Sequence, residues 1–138
     1  MKHTILVVDD DATVVKGITL LLEDDFDIIS FHGKSCGGPV IDWVNKNNHF
    51  DYAIIDILIN GISGITIAKV IDKVYSGTKP ILFLTGCDVR SIDFIEAKGL
   101  VGTHKEMDIC TKPKSEEGVW FSDFILAELD KRFGLCAK

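Results

Sequence analysis

Apolar residues fall along this chain in two alternating patterns. One is a short unbroken run that stops on a polar residue, as in Ile5-Leu6-Val7-Val8 before Asp9-Asp10-Asp11, and Ala53-Ile54-Ile55 before Asp56. Such runs fit strands buried on both faces, as in a parallel sheet covered by helices. The other is helical spacing: Val14, Ile18, Leu21 and Leu22 repeat every three or four positions, as do Ile67, Ala68, Ile71 and Val74.

Taken in order, the pattern predicts a strand at Ile5–Val8 and a helix after it capped by Asp11, whose carboxylate can accept from orphan backbone N–H groups. A second strand follows at Phe26–Phe31. Gly37-Gly38-Pro39 is read as a break before a helix carrying Val40, Ile41 and Val44, and Asn47-Asn48 ends that helix. The central strand runs from Phe50 to Asp56. The loop Asn60-Gly61-Ile62-Ser63-Gly64 leads into helix three, and Ser76-Gly77-Thr78 turns the chain. A fourth strand is expected at residues 80–84, ending at Thr85-Gly86, then a helix over 89–98. Residues 99–106, rich in Gly and charge, read as an insertion. Strand five is placed at Met107–Thr111, before Lys112-Pro113. A last helix carries Phe121, Phe124, Ile125, Leu129 and Phe133 on one face.

Five strands alternating with five helices imply an α/β fold with helices on both faces of a parallel sheet. Right-handed crossovers leave few topologies. The expectation is a flavodoxin-like three-layer sandwich with a five-stranded parallel sheet in order 2-1-3-4-5 and five helices. One domain is expected over 1–138, with no output domain after the last helix.

Composition narrows the class. Hydrophobic residues at 46% and charged residues at 26% are ordinary for a globular protein. The net charge is −6 and the acids crowd early, so no basic stripe suggests direct nucleic-acid contact. No apolar run reaches the length of a membrane span, and the first residues turn acidic too soon for a signal peptide. The four cysteines, Cys36, Cys87, Cys110 and Cys136, form no CxxC pair and read as reduced thiols of a cytoplasmic protein.

Candidate chemistry gathers at the strand ends: Asp9-Asp10 after strand one, Asp56 after strand three, Thr85 after strand four and Lys112 after strand five. In a sheet of this order, ligands bind beyond the carboxyl ends of the strands. Three carboxylates about 5 Å apart, at an effective dielectric of about 20, would repel by roughly 3 kcal/mol per pair. A hard cation such as Mg²⁺, which prefers carboxylate and water oxygens, would relieve that repulsion. With the Lys112 ammonium and a Thr hydroxyl, such a pocket suits a phosphoryl group. The carboxylate of Asp56 can serve as its nucleophile.

These residues resemble a response-regulator receiver domain over essentially the whole chain: Val7-Val8-Asp9-Asp10, Asp56, Gly64 beyond it, Thr85 and Lys112-Pro113. The resemblance implies a two-component signalling protein in which Asp56 accepts a phosphoryl group from a sensor histidine kinase or a phosphotransfer protein. Asp9, Asp10, Asp56 and the backbone carbonyl of Leu58 would hold Mg²⁺ or Mn²⁺. Lys112 would pair with phosphoryl oxygens. Thr85 would move towards them and repack a surface that meets a downstream protein target, with homodimerisation left open. Departures from the family pattern are Ile109 where an aromatic is usual, Ile59-Asn60 for Met-Pro, Gly86 for Ala and a longer segment before Lys112. Leu58 and Cys87 replace polar residues that flank the site, so slow self-dephosphorylation is expected.

The alternative is a haloacid-dehalogenase-like phosphatase. Asp9-Asp10-Asp11-Ala12-Thr13 fits its DxDxT motif, with Asp9 as nucleophile and Asp11 as general acid, but this gives Asp56 no role. A third option keeps the receiver fold as a phosphorylation-independent interaction module. Other residues invite plainer readings: His3, His32, His49 and His104 as scattered surface or loop residues, and Trp43 and Trp120 as core or interface.

Overall fold

The structure, a computed structural model, describes residues 2–85, 92–103, 107–111 and 118–134, with no side-chain description at 85, 92–94, 103, 110–111 and 118–122. Ten elements alternate: β1 (His3–Val8), α1 (Ala12–Leu22), β2 (Phe26–Phe31), α2 (Gly37–Asn45), β3 (Tyr52–Asp56), α3 (Gly64–Val74), β4 (Ile81–Thr85), α4 (Ile92–Thr103), β5 (Met107–Thr111) and α5 (Gly118–Phe133). The strands form one sheet in order β2-β1-β3-β4-β5, and every pairing is parallel. This is the expected topology.

The alternation of side chains along each strand divides the core in two. Leu6, Val8, Ala53, Ile55, Ile81 and Phe83 face α2, α3 and α4. Ile5, Val7, Tyr52, Ile54, Leu82 and Leu84 face α1 and α5. All five residues of β3 are buried, which explains why it reads as a continuous apolar run rather than an alternating one. Fully burying each of its isoleucines stabilises the fold by about 1.5–3 kcal/mol.

Two expectations about boundaries need correction. Gly37-Gly38-Pro39 is not a break: α2 starts at Gly37. Proline is tolerated in a first turn because the N–H it lacks would have no helical partner there. Gly37 is buried, and a Cβ on it would lie 2.8 Å from Ile62 Cβ, so α2 packs closely against the loop before α3. Residues 99–103 are not inserted loop but the continuation of α4 to Thr103. Their glycines, Gly99 and Gly102, face outward, while Ala97 is buried and Leu100 and Val101 pack on the core.

The signals at Asp11, Asn47 and Ser76-Gly77 were placed correctly, whereas the central strand begins at Tyr52 and not at Phe50. Asp11 caps α1, accepting from the Thr13 N–H at 2.9 Å. Ser63 caps α3 by accepting from the Ile65 N–H. Asn47 ends α2 in the left-handed region at φ 60°, and Ser76-Gly77 turn the chain at φ 55° and 70°. Trp43 is partly buried and lies in an aromatic row with Phe31 and Phe50, which Tyr75 extends.

Candidate functional site

The acid pocket is a product of strand register. Val8 of β1 lies opposite Ile55 of β3, so the next step along each strand sets Asp9 beside Asp56 at the carboxyl rim. Asp10 follows on the loop into α1. One carboxylate oxygen from each of Asp9, Asp10 and Asp56 lies within 4.8 Å of the others. Asp9 is completely buried, Asp56 nearly so, and Asp10 partly exposed, so the pocket opens to solvent on the Asp10 side.

Backbone contacts fix this arrangement. Asp9 Oδ1 accepts from the Asp11 N–H at 2.9 Å, and the Asp9 N–H donates to the Phe31 carbonyl. The Gly33 N–H donates to the Asp10 carbonyl, holding the start of the β2–α2 loop against the site. Behind Asp56, the Ile57 N–H donates to Leu84 of β4. The carbonyl of Ile57 then receives the Gly64 N–H at 2.9 Å and the Ser63 hydroxyl at 3.4 Å. The loop from Leu58 to Ile62 is thereby closed at its base. Leu58 lies in it with its side chain about half exposed.

The donor set is all carboxylate, with no sulfur or imidazole among the three acids. Hard oxygen donors of this kind fit Mg²⁺ or Mn²⁺ and suit a softer ion less well. Cys36 lies near this pocket. Burial first, and the Asp10 carboxylate second, push its thiol up, so it stays protonated at neutral pH. Cys36 is free and buried, as a reduced packing residue would be; its nearness to the acids was not legible in the sequence, because nothing in its spacing ties it to them.

Of the other candidate residues, Thr85 ends β4 opposite Thr111 of β5. Lys112, Gly86, Cys87, His104, Pro113 and Cys136 lie outside the described residues. Ile109 pairs with Phe83 across β4 and β5, and both pack on the core that faces α4. The residue opposite Ile109 on β4 is thus aromatic, and Phe83 is fully buried there. Asp11, the general acid of the phosphatase alternative, is an exposed helix cap.

Among the described residues, no helix is long and apolar enough to cross a membrane. The response regulator receiver domain model matches residues 5–116. An uncharacterized transcriptional regulatory protein of Bacillus subtilis, YrkP, is 36% identical over 119 residues, covering 85% of this chain and 46% of that protein. The nisin biosynthesis regulatory protein NisR of Lactococcus lactis is 30% identical over 116 residues, covering 83% of this chain and 46% of that protein. The chain thus spans about half the length of these relatives. The response regulator domain of Thermotoga maritima CheB superposes with a TM-score of 0.73 at 18% identity, over 99% of this chain and 100% of that one. Nothing among these matches supports a haloacid-dehalogenase-like phosphatase. With the sheet order, the acid pocket and the family match in agreement, the chain belongs to the response regulator receiver domains, the signalling phosphoacceptors of two-component systems.

Proposed function

We propose that Asp56 is the phosphoacceptor, taking its phosphoryl group from the phosphohistidine of a sensor kinase or phosphotransfer protein. The observation that carries this is the convergence of Asp9, Asp10 and Asp56 at the carboxyl rim of the sheet. A carboxylate oxygen of Asp56 forms the new O–P bond as the P–N bond to the donor imidazole breaks, and the departing imidazole takes up a proton.

Asp9, Asp10, Asp56 and the Leu58 carbonyl are the groups that would hold Mg²⁺ or Mn²⁺. The bound ion supplies positive charge to offset that of the phosphoryl oxygens. Asp56 is fixed by β3 and by the closed loop behind it, so its nucleophilic oxygen needs little reorganisation. Lys112 carries a further positive charge to the same oxygens. Thr85 donates its hydroxyl to the phosphoryl group, and its movement shifts the surface of α4, β5 and α5 towards a downstream protein target. The domain performs its own phosphorylation and dephosphorylation and no other turnover, and it works in the cytoplasm.

Incubation with acetyl phosphate and Mg²⁺ tests this. The intact mass is expected to rise by one phosphoryl group in the native chain and not in Asp56→Ala. Labelling that persists in Asp56→Ala would move the acceptor elsewhere. Absence of labelling from both acetyl phosphate and a panel of kinases would favour a phosphorylation-independent module.

A further inference from the structure

Of the three acids in the pocket, Asp10 is the one least held by the sheet. Asp56 closes β3, and Asp9 is anchored by its own N–H on the Phe31 carbonyl and by its Oδ1 on the Asp11 N–H. Asp10 lies on the bend between β1 and α1 and is partly exposed. Its main chain is held from the side, where the Gly33 N–H donates to its carbonyl at 3.2 Å. We propose that the segment from Gly33 to Gly37 is a brace between the two acid-bearing loops, and that these two glycines are positioning residues for the metal ion. The proposal rests on the metal reading given above.

The brace can be followed bond by bond. The Gly33 carbonyl accepts from the Cys36 N–H at 3.3 Å, closing a turn that leads into α2. Helix α2 begins on Gly37, where a Cβ would lie 2.8 Å from Ile62 Cβ. Ile62 belongs to the loop that follows Asp56, the loop closed by the Gly64 N–H on the Ile57 carbonyl. A continuous path of hydrogen bonds and close packing thus joins Asp10 to the Asp56 loop through the start of α2. Cys36 lies in the middle of that path. Its thiol is pushed up by burial first, then by the charges of Asp10, Asp9 and Asp56, so the segment is within electrostatic reach of all three acids.

The two glycines are required for different reasons. Gly33 has φ 97°, a conformation that glycine adopts freely and other residues enter at a cost. Nothing lies within 4 Å of the place its Cβ would take, so the requirement there is backbone conformation alone. Gly37 needs space, and the atom it meets is a Cβ that no side-chain rotation moves aside. What the brace supplies is preorganisation. Three carboxylates repel one another and would spread apart on free loops. A pocket held in its binding geometry only part of the time shows an affinity lowered by that fraction.

Mn²⁺ tests this, because electron paramagnetic resonance counts the free aqueous ion directly. Titration of the native chain is expected to show a single bound ion, weakened by an order of magnitude or more in Asp10→Asn. Gly33→Ala and Gly37→Ala should each weaken it by roughly threefold to tenfold. The methyl of Gly33→Ala enters open space, which keeps that variant clear of packing defects. Gly77→Ala is the control: Gly77 also has a positive φ, 70°, but lies before β4 at the opposite rim of the sheet. It should lose stability to urea much as Gly33→Ala does and bind Mn²⁺ as the native chain does. Native affinity in either brace variant, or an equal loss in Gly77→Ala, would overturn the brace and leave the metal site standing. A native chain that binds no Mn²⁺, or an Asp10→Asn variant that binds it as tightly, would overturn the metal reading and the brace with it.

Discussion

A Cβ placed on Gly64 would lie 1.9 Å from the carbonyl oxygen of Asp56. The first turn of α3 thus touches the main chain of Asp56, the proposed phosphoacceptor, at a distance that only hydrogen in place of a side chain allows. The requirement is steric, since the opposing atom is backbone and cannot swing aside. Gly64→Ala is expected to destabilise the fold by about 1–3 kcal/mol, as overpacking does, and to displace the Asp56 carboxylate. Urea denaturation measures the first effect. The rate of labelling by acetyl phosphate, expected to fall, measures the second.

Three carboxylates within 4.8 Å make the acid pocket a source of strain when no cation is present. At that spacing and an effective dielectric of about 20, each charged pair repels by roughly 3 kcal/mol. Millimolar Mg²⁺ is expected to raise the melting temperature of the native chain relative to EDTA, as ligand linkage requires. Asp10→Asn should raise the melting temperature in EDTA and blunt the response to Mg²⁺. Equal Mg²⁺ responses in the two proteins would place the ion elsewhere.

Leu58, two residues after the proposed phosphoacceptor Asp56, has 49% of its surface exposed. An apolar side chain there cannot orient a water molecule for attack on an acyl phosphate. The phosphorylated chain is expected to persist far beyond seconds in Mg²⁺, and Leu58→Asn to shorten its lifetime several-fold. Following the loss of the phosphoryl mass with time checks both. A native half-life of seconds would show that some other group positions the water.

Asp51 predicts how stability responds to acid. Burial pushes its carboxyl up, but the Thr4 N–H, which donates to Oδ2 at 2.8 Å, and then His49 and His3 outweigh this and hold it below the usual range. It therefore releases its proton more readily folded than unfolded. Its contribution is complete above the unfolded value of about 4 and is lost as pH falls through the lower, folded value. In a chelator, a plot of unfolding free energy against pH should drop more steeply below about pH 4 for the native chain than for Asp51→Asn. Parallel curves would mean that the Thr4 and histidine contacts leave the carboxyl unaffected.

Much of this architecture was legible because burial on both faces leaves a plain mark. The runs at Ile5–Val8 and Ala53–Ile55 have no polar residue to confuse them, and they fixed the strands that carry Asp9 and Asp56. Boundaries were harder where a residue has two meanings. Pro39 punctuates a chain or opens a helix, and only the packing of Gly37 on Ile62 decides which. Gly99 and Gly102 weaken a helix by propensity, but Ala97, Leu100 and Val101 hold it to the sheet. The meeting of His3 and His49 on Asp51 was hidden, because no sequence spacing reports which residues begin neighbouring strands. Phe83 was likewise unmarked as the ring opposite Ile109, since that pairing arises between β4 and β5.

The clasp at the Ile57 carbonyl bears on how this segment tolerates divergence. It is made by one amide and one hydroxyl, Gly64 and Ser63, and uses no side chain from Leu58 to Ile62. Within that span Ile59 is buried, Gly61 needs its φ of 91° and Ile62 abuts Gly37, whereas Leu58 and Asn60 face solvent. Drift is therefore cheapest at those two letters, and an asparagine can replace the family's proline there without loosening the bend that presents Asp56.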